Sequence, residues 1–342
     1  MIDKLFEFLP EAREIFLKRY IILKGVYENP SIGRRALSEK LDLSERIVRD
    51  EAMRLRDLDL LEINNSGMNI TDKGIETIEV FAADYLRLER LPSLQKAIRN
   101  HLQNDSIYVV KKNSIGYLRA IGMQAALVLS QILSDTDVLG VTGGTTVLNV
   151  AEEFNFSNEI QNISVVPARG SVGNLLEEQS NSVASKFANK LNAKYHPIYL
   201  PDSLDKQSMD ILINNHEIKK SYDMLKKIDT LLFGIGRADI MAKKRGLKRE
   251  TKDFILKNGA VGEAFGHYFD IDGKEIYKHE TIGISLEDFL KIKRVIGVAG
   301  TKDKAKAIIA VSKIRKDMTL IIDEDACVEI LNILNYEMEE VK

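Results

Sequence analysis

Three observations predict that this 342-residue chain folds as α/β in two parts, a small helical domain over residues 1–91 and a large Rossmann-like α/β domain over 92–342. Residues 31–58 hold two short amphipathic segments separated by a tight break. A pair of alternating apolar–polar runs follows, joined by Asn64-Asn65-Ser66-Gly67. After Pro92, short apolar runs alternate with helical stretches, the pattern of a mostly parallel sheet covered on both faces. The length suits two domains, with ample core in the larger. Hydrophobic content of 44% and charged content of 29% exclude a disordered chain.

Apolar spacing predicts a first helix over residues 13–27, with Ile15, Tyr20, Leu23 and Val26 inward, ended by Asn29-Pro30. Residues 34–41 form a second helix with Ala36, Leu37 and Leu41 on one face. Asp42-Leu43-Ser44 breaks it, and Ser44 is suited to cap a third helix. That helix sets Ile47, Val48, Ala52, Leu55 and Leu58 on one stripe and Arg46, Arg49, Arg54 and Arg56 on the other side. Leu61-Glu62-Ile63 and Met68-Asn69-Ile70 then read as a hairpin, the wing of a winged helix-turn-helix. Thr71 caps a further helix over residues 72–91, closed by Pro92. Its seam of Ile75, Ile78, Phe81, Ala82, Tyr85 and Leu88 is longer than a small domain needs and suits dimerisation.

A helix with an apolar back and a guanidinium-rich front fits a DNA major groove. Arg34, Arg35, Ser44, Arg46, Arg49 and Arg54 are the candidate DNA-binding residues, with Arg46 and Arg49 on base edges and Arg34, Arg35 and Arg54 on phosphates. Residues 1–90 hold 15 Lys+Arg against 18 Asp+Glu, a net of −3, whereas residues 31–56 reach +2. The positive field is therefore a local stripe. It predicts modest non-specific affinity and a homo-oligomer, dimer or tetramer, on a two-fold double-stranded operator.

In the large domain, strands are expected at residues 107–110, 138–142, 163–167, 230–235, 295–299 and 319–323, with helices at 117–133, 178–191, 303–313 and 324–334. Ligands of such sheets bind at the carboxyl ends of the strands. One strand end reads Val141-Thr142-Gly143-Gly144-Thr145-Thr146 and opens a helix over 147–154. Its glycines, hydroxyls and helix N-terminus suit a phosphate, although its spacing is not that of a nucleotide P-loop. A second reads Pro167-Ala168-Arg169-Gly170-Ser171-Val172-Gly173, with Arg169 as a bidentate phosphate partner. A third reads Val298-Ala299-Gly300-Thr301-Lys302-Asp303-Lys304. Jointly the three point to a phosphorylated small molecule. The basic run Lys243, Lys244, Arg245, Lys248 and Arg249 follows Gly234-Ile235-Gly236, which lacks the third glycine of a dinucleotide fingerprint. Gln179 and Glu263 are polar positions suited to sugar hydroxyls.

Cys327 is the only cysteine, which excludes an internal disulfide or cysteine metal cluster. The five histidines show no metal-ligand spacing, and neither a GxSxG elbow nor an HExxH motif is present. The expectation is no cofactor, no metal and no catalysis. The N-terminal residues do not read as a signal peptide, and no apolar run approaches the roughly 18 residues of a membrane helix, so no membrane partner and a cytoplasmic location are expected.

These segments resemble the SorC-type sugar-responsive bacterial repressors nearly end to end. The most specific are Ile32-Gly33-Arg34-Arg35, Leu43-Ser44-Glu45-Arg46, residues 141–146 and 166–170, Glu263-Ala264-Phe265-Gly266 and Val298-Ala299-Gly300. The resemblance implies a winged helix-turn-helix joined to an effector domain related to sugar-phosphate isomerases and deaminases. It implies repression of glycolytic genes and an effector such as fructose 1,6-bisphosphate. By motif, Gly144, Thr145 and Thr146 would hold one phosphate with Arg169 nearby, Gln179 and Glu263 would read the sugar, and Lys304 would serve a phosphate; Gly143 is a candidate from the strand end itself. Where the family pattern has Gln-Arg-Arg, this chain has Lys243-Lys244-Arg245, so the phosphate-binding arginine falls on Lys244 by strict count, beside Arg245. The alternative is a sugar-phosphate isomerase or deaminase with an N-terminal interaction module. Such deaminases carry an Asp-Gly-His segment after their Gly-x-Gly; here the histidine position is Ile240.

Overall fold

The computed structural model describes residues 5–6, 8–111, 116–154, 162–170, 175–200, 208, 211–212 and 214–335. It divides into two units, Met1–Ser93 and Leu94–Lys342.

The first unit is built on helix α1 (Pro10–Tyr27), which opens with a proline and buries Tyr20, Ile22, Leu23 and Val26. Ile15, expected inward, is 40% exposed. Helix α2 (Arg34–Leu41) ends where Asp42 turns left-handed at φ 52°, and α3 (Glu45–Asp57) begins at Ser44, whose side chain accepts from the Ile47 N–H. Leu37, Val48, Ala52 and Leu55 close the core against α1. Ala36 and Leu58 stay exposed, at the ends of their expected stripes. Strands β1 (Leu61–Asn64) and β2 (Gly67–Ile70) pair antiparallel. Gly67 sits at φ +130°, where a Cβ would lie 2.1 Å from the Ser31 carbonyl oxygen.

Thr71 caps α4 (Asp72–Leu102) by accepting from the Gly74 N–H at 3.0 Å. The sequence placed the end of this helix at Pro92, but Pro92 lies inside it. A mid-helix proline orphans the carbonyl four residues earlier. That carbonyl belongs to Leu88, and the Arg13 guanidinium donates to it at 3.0 Å, which supplies a partner for the missing N–H. The apolar seam of α4 packs on its own unit: Tyr85 stacks on Tyr20 at 4.1 Å and Phe81 meets Phe16 edge-on at 5.5 Å. The seam read as suited to dimerisation is thus largely covered by α1.

The second unit holds a seven-stranded sheet, parallel throughout, in the order β3-β13-β12-β7-β4-β5-β6. In chain order the elements are β3 (Ile107–Val110), α5 (Tyr117–Ile132), β4 (Val138–Val141), α6 (Thr145–Glu153), β5 (Ser164–Pro167), α7 (Ser180–Leu191), β6 (Lys194–Tyr195), α8 (His216–Leu225) and β7 (Thr230–Gly234). There follow β8 (Gly236–Arg237), α9 (Ala238–Lys244), α10 (Arg249–Lys257), β9 (Gly262–Ala264), β10 (His267–Phe269), β11 (Glu275–Lys278), α11 (Leu286–Lys291), β12 (Arg294–Ala299), α12 (Ala305–Ile314), β13 (Thr319–Asp323) and α13 (Glu324–Ile333). Helices α5, α6 and α7 bury Ile121, Leu129, Val147, Phe154 and Phe187 against one sheet face.

All six expected strands are present within a residue or so of their predicted bounds. Strands β8 to β11, which form a separate antiparallel sheet in the order β11-β10-β9-β8, were not expected. From β4 the chain winds outward to β5 and β6, then returns through β7 to the other side. The boundary between β4 and β7 is therefore the switch point, where a crevice opens at the carboxyl ends of a doubly wound sheet.

Candidate functional site

A cleft of about 310 Å³ opens at this switch point. Its floor is the turn from β4 into α6. The Thr142 N–H donates to the Leu232 carbonyl at 3.0 Å and the Thr142 hydroxyl accepts from the Gly234 N–H at 3.2 Å, which locks the two strand ends together. Gly144 adopts φ +107°, and a Cβ on Gly143 would lie 2.3 Å from the Glu178 carbonyl oxygen. Only glycine satisfies both constraints. The turn delivers Thr145 and Thr146 to the first turn of a nine-residue helix, where free N–H groups and the helix dipole favour an anion.

Cations reach the cleft from separate loops. Arg169 is half-buried beyond β5, and its strand end is pinned where the Gly170 N–H donates to the Ile282 carbonyl and the Ile284 N–H to the Ala168 carbonyl. Lys304 follows Thr301, a β-branched residue held at φ 78°. Such a backbone is strained and persists only where neighbours enforce it. Here the buried Asp323 carboxylate accepts from the Thr301 N–H at 2.9 Å and the Ala326 N–H at 3.0 Å. Burial, with help from Lys244, holds the Lys304 ammonium below its ordinary pKa, while Asp303 and Asp323 oppose the shift. Arg237 lines the cleft from β8, paired with Asp239 at 2.7 Å and Asp303 at 3.2 Å. Lys244 reaches in from the last turn of α9.

The back wall is a buried charge cluster. Glu263, on β9, accepts from the Arg245 guanidinium at 2.8 Å, each side chain being 2% exposed. It also accepts from the Gly266 N–H at 2.7 Å. Burial alone would raise the Glu263 carboxyl, but Arg245, Arg169 and that backbone donor together hold it below its ordinary value. The neighbouring Tyr268 hydroxyl has no hydrogen-bond partner among the described residues, and burial drives its pKa up.

The structure thus brings Gly143, Gly144, Thr145, Thr146, Arg169, Lys244, Glu263 and Lys304 to one cleft. Gln179 and Arg245 do not line it. Gln179 sits at the N-cap of α7 with its side chain off the cap. Arg245 turns inward because consecutive residues at a helix end face different directions, and its guanidinium pairs with Glu263. Ser171, Val172 and Gly173 lie outside the described residues. Tyr117, Glu178 and Arg237 line the cleft without having been anticipated. Arg237 follows the Gly234-x-Gly236 turn directly, a signal in plain view; Tyr117 carries none. Ile240 also lines the cleft, so an apolar side chain stands at that position.

In the first unit, Arg34, Arg35, Ser44, Arg46, Arg49 and Arg54 are all exposed on α2 and α3 or at the cap between them. Val48, Ala52 and Leu55 bury the opposite side of α3. Arg46 and Arg49 pair with Asp50 at 3.7 and 3.2 Å, and Arg54 with Glu51 at 3.5 Å. The two pairs on exposed Asp50 are exchanged readily for phosphate oxygens or base edges, whereas Glu51 is largely buried and also holds Arg19 at 2.8 Å. No helix among the described residues is long and apolar enough to cross a membrane, and no group of three or more His, Cys, Asp or Glu among them is placed to hold a metal.

Residues 87–332 match the sugar-binding domain family, and residues 15–83 match the CggR N-terminal DNA-binding domain. The central glycolytic genes regulator of Bacillus subtilis (strain 168) is 31% identical over 326 residues, which cover 94% of this chain and 96% of that protein. The central glycolytic genes regulator of Priestia megaterium is 32% identical over 336 residues, covering 96% and 97%. Among solved structures, a SorC family transcriptional regulator from Enterococcus faecalis is 31% identical, covers 70% of this chain and 99% of its own, and has a TM-score of 0.65.

Proposed function

The chain belongs to the SorC family of sugar-binding transcriptional regulators, and on that premise we propose that it is a repressor of glycolytic genes whose operator binding is modulated by a glycolytic sugar phosphate, fructose 1,6-bisphosphate first among them. The names of two relatives support the glycolytic assignment. Residues 1–91 are the operator-reading domain and residues 92–342 the effector and oligomerisation domain. The protein works as a cytoplasmic homo-oligomer, dimer or tetramer, since a two-fold operator calls for a two-fold reader.

The observation that carries the effector assignment is the cleft at the switch point. A helix N-terminus with two threonines, together with Arg169, Lys244 and Lys304 from other loops, surrounds one small volume. That set neutralises a multiply charged ester, and Glu263 accepts from sugar hydroxyls. The cleft is a sensor rather than an active site: Ile240 offers no proton where the related deaminases transfer one. Effector alters DNA affinity only through unequal affinity for the DNA-competent and incompetent arrangements.

Thermal unfolding against a panel of glycolytic phosphate esters tests this reading. Fructose 1,6-bisphosphate is expected to raise the midpoint saturably. Arg169→Ala is expected to abolish that shift while retaining operator binding. A variant that loses operator binding and keeps the shift would contradict the assignment, as would a wild type indifferent to every ester.

A further inference from the structure

We infer that Glu178 is an internal anion seated in the phosphate cradle, so that an incoming phosphate must displace it and its charge sets how tightly the cleft takes its ligand. The inference rests on the reading of the cleft as a sugar-phosphate site. Glu178 ends a short helical turn, Leu176–Glu178, just before α7. Its carboxylate accepts from the Thr145 hydroxyl at 2.6 Å and lies 3.8 Å from the Lys244 ammonium. Its backbone carbonyl accepts from the Gly144 N–H at 2.8 Å.

Three donors assigned to a phosphate are therefore engaged by this one residue: a threonine hydroxyl at the start of α6, the adjacent backbone N–H and a lysine. The carboxylate is mostly shielded, with 19% of its side chain exposed, so its charge acts through partly desolvated surroundings rather than open water. A negative group bonded to the first residue of α6 gains from the same dipole that would favour a phosphate. Ligand-free, Glu178 satisfies the cradle. The Thr145 hydroxyl has one proton to donate, so a phosphate that takes it displaces the carboxylate, and like-charge repulsion beside Lys244 adds to the cost of staying.

Departure has a structural consequence. The carboxylate and the carbonyl of Glu178 both tie the turn to the β4–α6 loop, and the turn holds Leu175 and Leu176 outward at 65% and 71% exposure. Releasing one tie loosens the segment carrying those two leucines, an apolar surface whose position then reports whether the cleft is occupied.

The test compares Glu178→Gln and Glu178→Ala with wild type by calorimetric titration of inorganic phosphate and of fructose 1,6-bisphosphate. Glu177→Gln is the control, since Glu177 carries the same charge next door, exposed to solvent. Removing the charge at 178 is expected to tighten both ligands about tenfold, and the change at 177 less than about twofold, because the first charge is desolvated against the site and the second is screened. Amide exchange in residues 175–179 of the wild type is expected to quicken when fructose 1,6-bisphosphate binds. Unchanged or weaker binding in both variants at 178 overturns the inference while leaving the sugar-phosphate reading intact. Exchange unaltered by a ligand that binds also overturns it, because the carboxylate would have stayed seated. Failure of every protein to bind either phosphate overturns the inference together with the reading beneath it.

Discussion

Helix α3 and the switch-point cleft both present cations, and they hold them in opposite ways. On α3 each arginine is exposed and paired with an acid on the same helix, as Arg46 and Arg49 are with Asp50. In the cleft, pairs such as Arg237 with Asp303 and Arg245 with Glu263 join residues distant in sequence, and the most buried, Arg245 with Glu263, is sealed from solvent. Exposed pairs contribute about 0–1 kcal/mol and exchange partners at little cost. A sealed pair cannot exchange without leaving a bare charge in a medium that screens it poorly. The α3 face therefore adapts to what it meets, whereas the back wall of the cleft is fixed in advance. Fixed charge suits a sensor that must tell one small ester from another, and adaptable charge suits a surface that slides along DNA before it finds its operator.

Breaking the sealed pair should have the largest effect. Glu263→Gln removes the carboxylate that the buried Arg245 guanidinium pairs with at 2.8 Å, at an expected cost of about 3–5 kcal/mol in unfolding free energy. Urea unfolding checks this. The pH dependence has a definite sign. The folded Glu263 carboxyl lies below its ordinary pKa, so its contribution is complete above that ordinary value and disappears as pH falls through the lowered folded one. Glu263→Gln should flatten the acid limb of the stability profile. If the variant is as stable as wild type, the back wall is ordinary surface chemistry and the contrast with α3 collapses.

On the DNA face the same removal of charge should leave the fold untouched. Arg46→Ala and Arg49→Ala are each expected to weaken operator binding by about 1–3 kcal/mol if they reach base edges. Arg34→Ala and Arg35→Ala should instead lower affinity alike for operator and random DNA and reduce the salt slope. Electrophoretic or fluorescence titrations at two salt concentrations separate the two classes. Unfolding midpoints and effector binding should not move for any of the four.

The difference between the two regions also governs what the sequence reveals. The winged helix-turn-helix is written in local periodicity: Val48, Ala52 and Leu55 recur at helical spacing, Ser44 caps, and Asn64 and Gly67 close the wing. The cleft is assembled from loops, so only features complete within one loop are legible. Gly143-Gly144-Thr145-Thr146 is such a feature, and so is the lysine that follows Gly300-Thr301. The inward turn of Arg245 is not legible because its partner Glu263 stands on a strand of three residues, too short to declare an alternation. Glu178 was invisible because an acid beside a phosphate loop reads as opposing the site. Pro92 misled in the other direction: the donor that lets α4 continue is the guanidinium of Arg13, 75 residues away from the carbonyl it serves.

The smallest predicted effect concerns Lys304, which lies between the two extremes, half-buried and among other cations. Burial and Lys244 hold its ammonium below the ordinary lysine pKa, so in the empty cleft it sheds its proton earlier on the way to alkaline pH. A bound phosphate reverses this by favouring the charged form. Between the lowered and the ordinary lysine value, binding should therefore take up a fraction of a proton, and affinity should fall with rising pH by at most about tenfold per unit, the limit for one group. Fold stability should move the opposite way. The unfolded chain keeps a lysine of ordinary pKa, so over the window between the lowered and ordinary values it binds more protons than the folded chain, and stability rises there. Titration in buffers of different ionisation heats reads the proton directly. Lys304→Arg keeps the charge across that window and should bind without proton uptake, whereas uptake unchanged in that variant would assign the proton to another cation of the cleft.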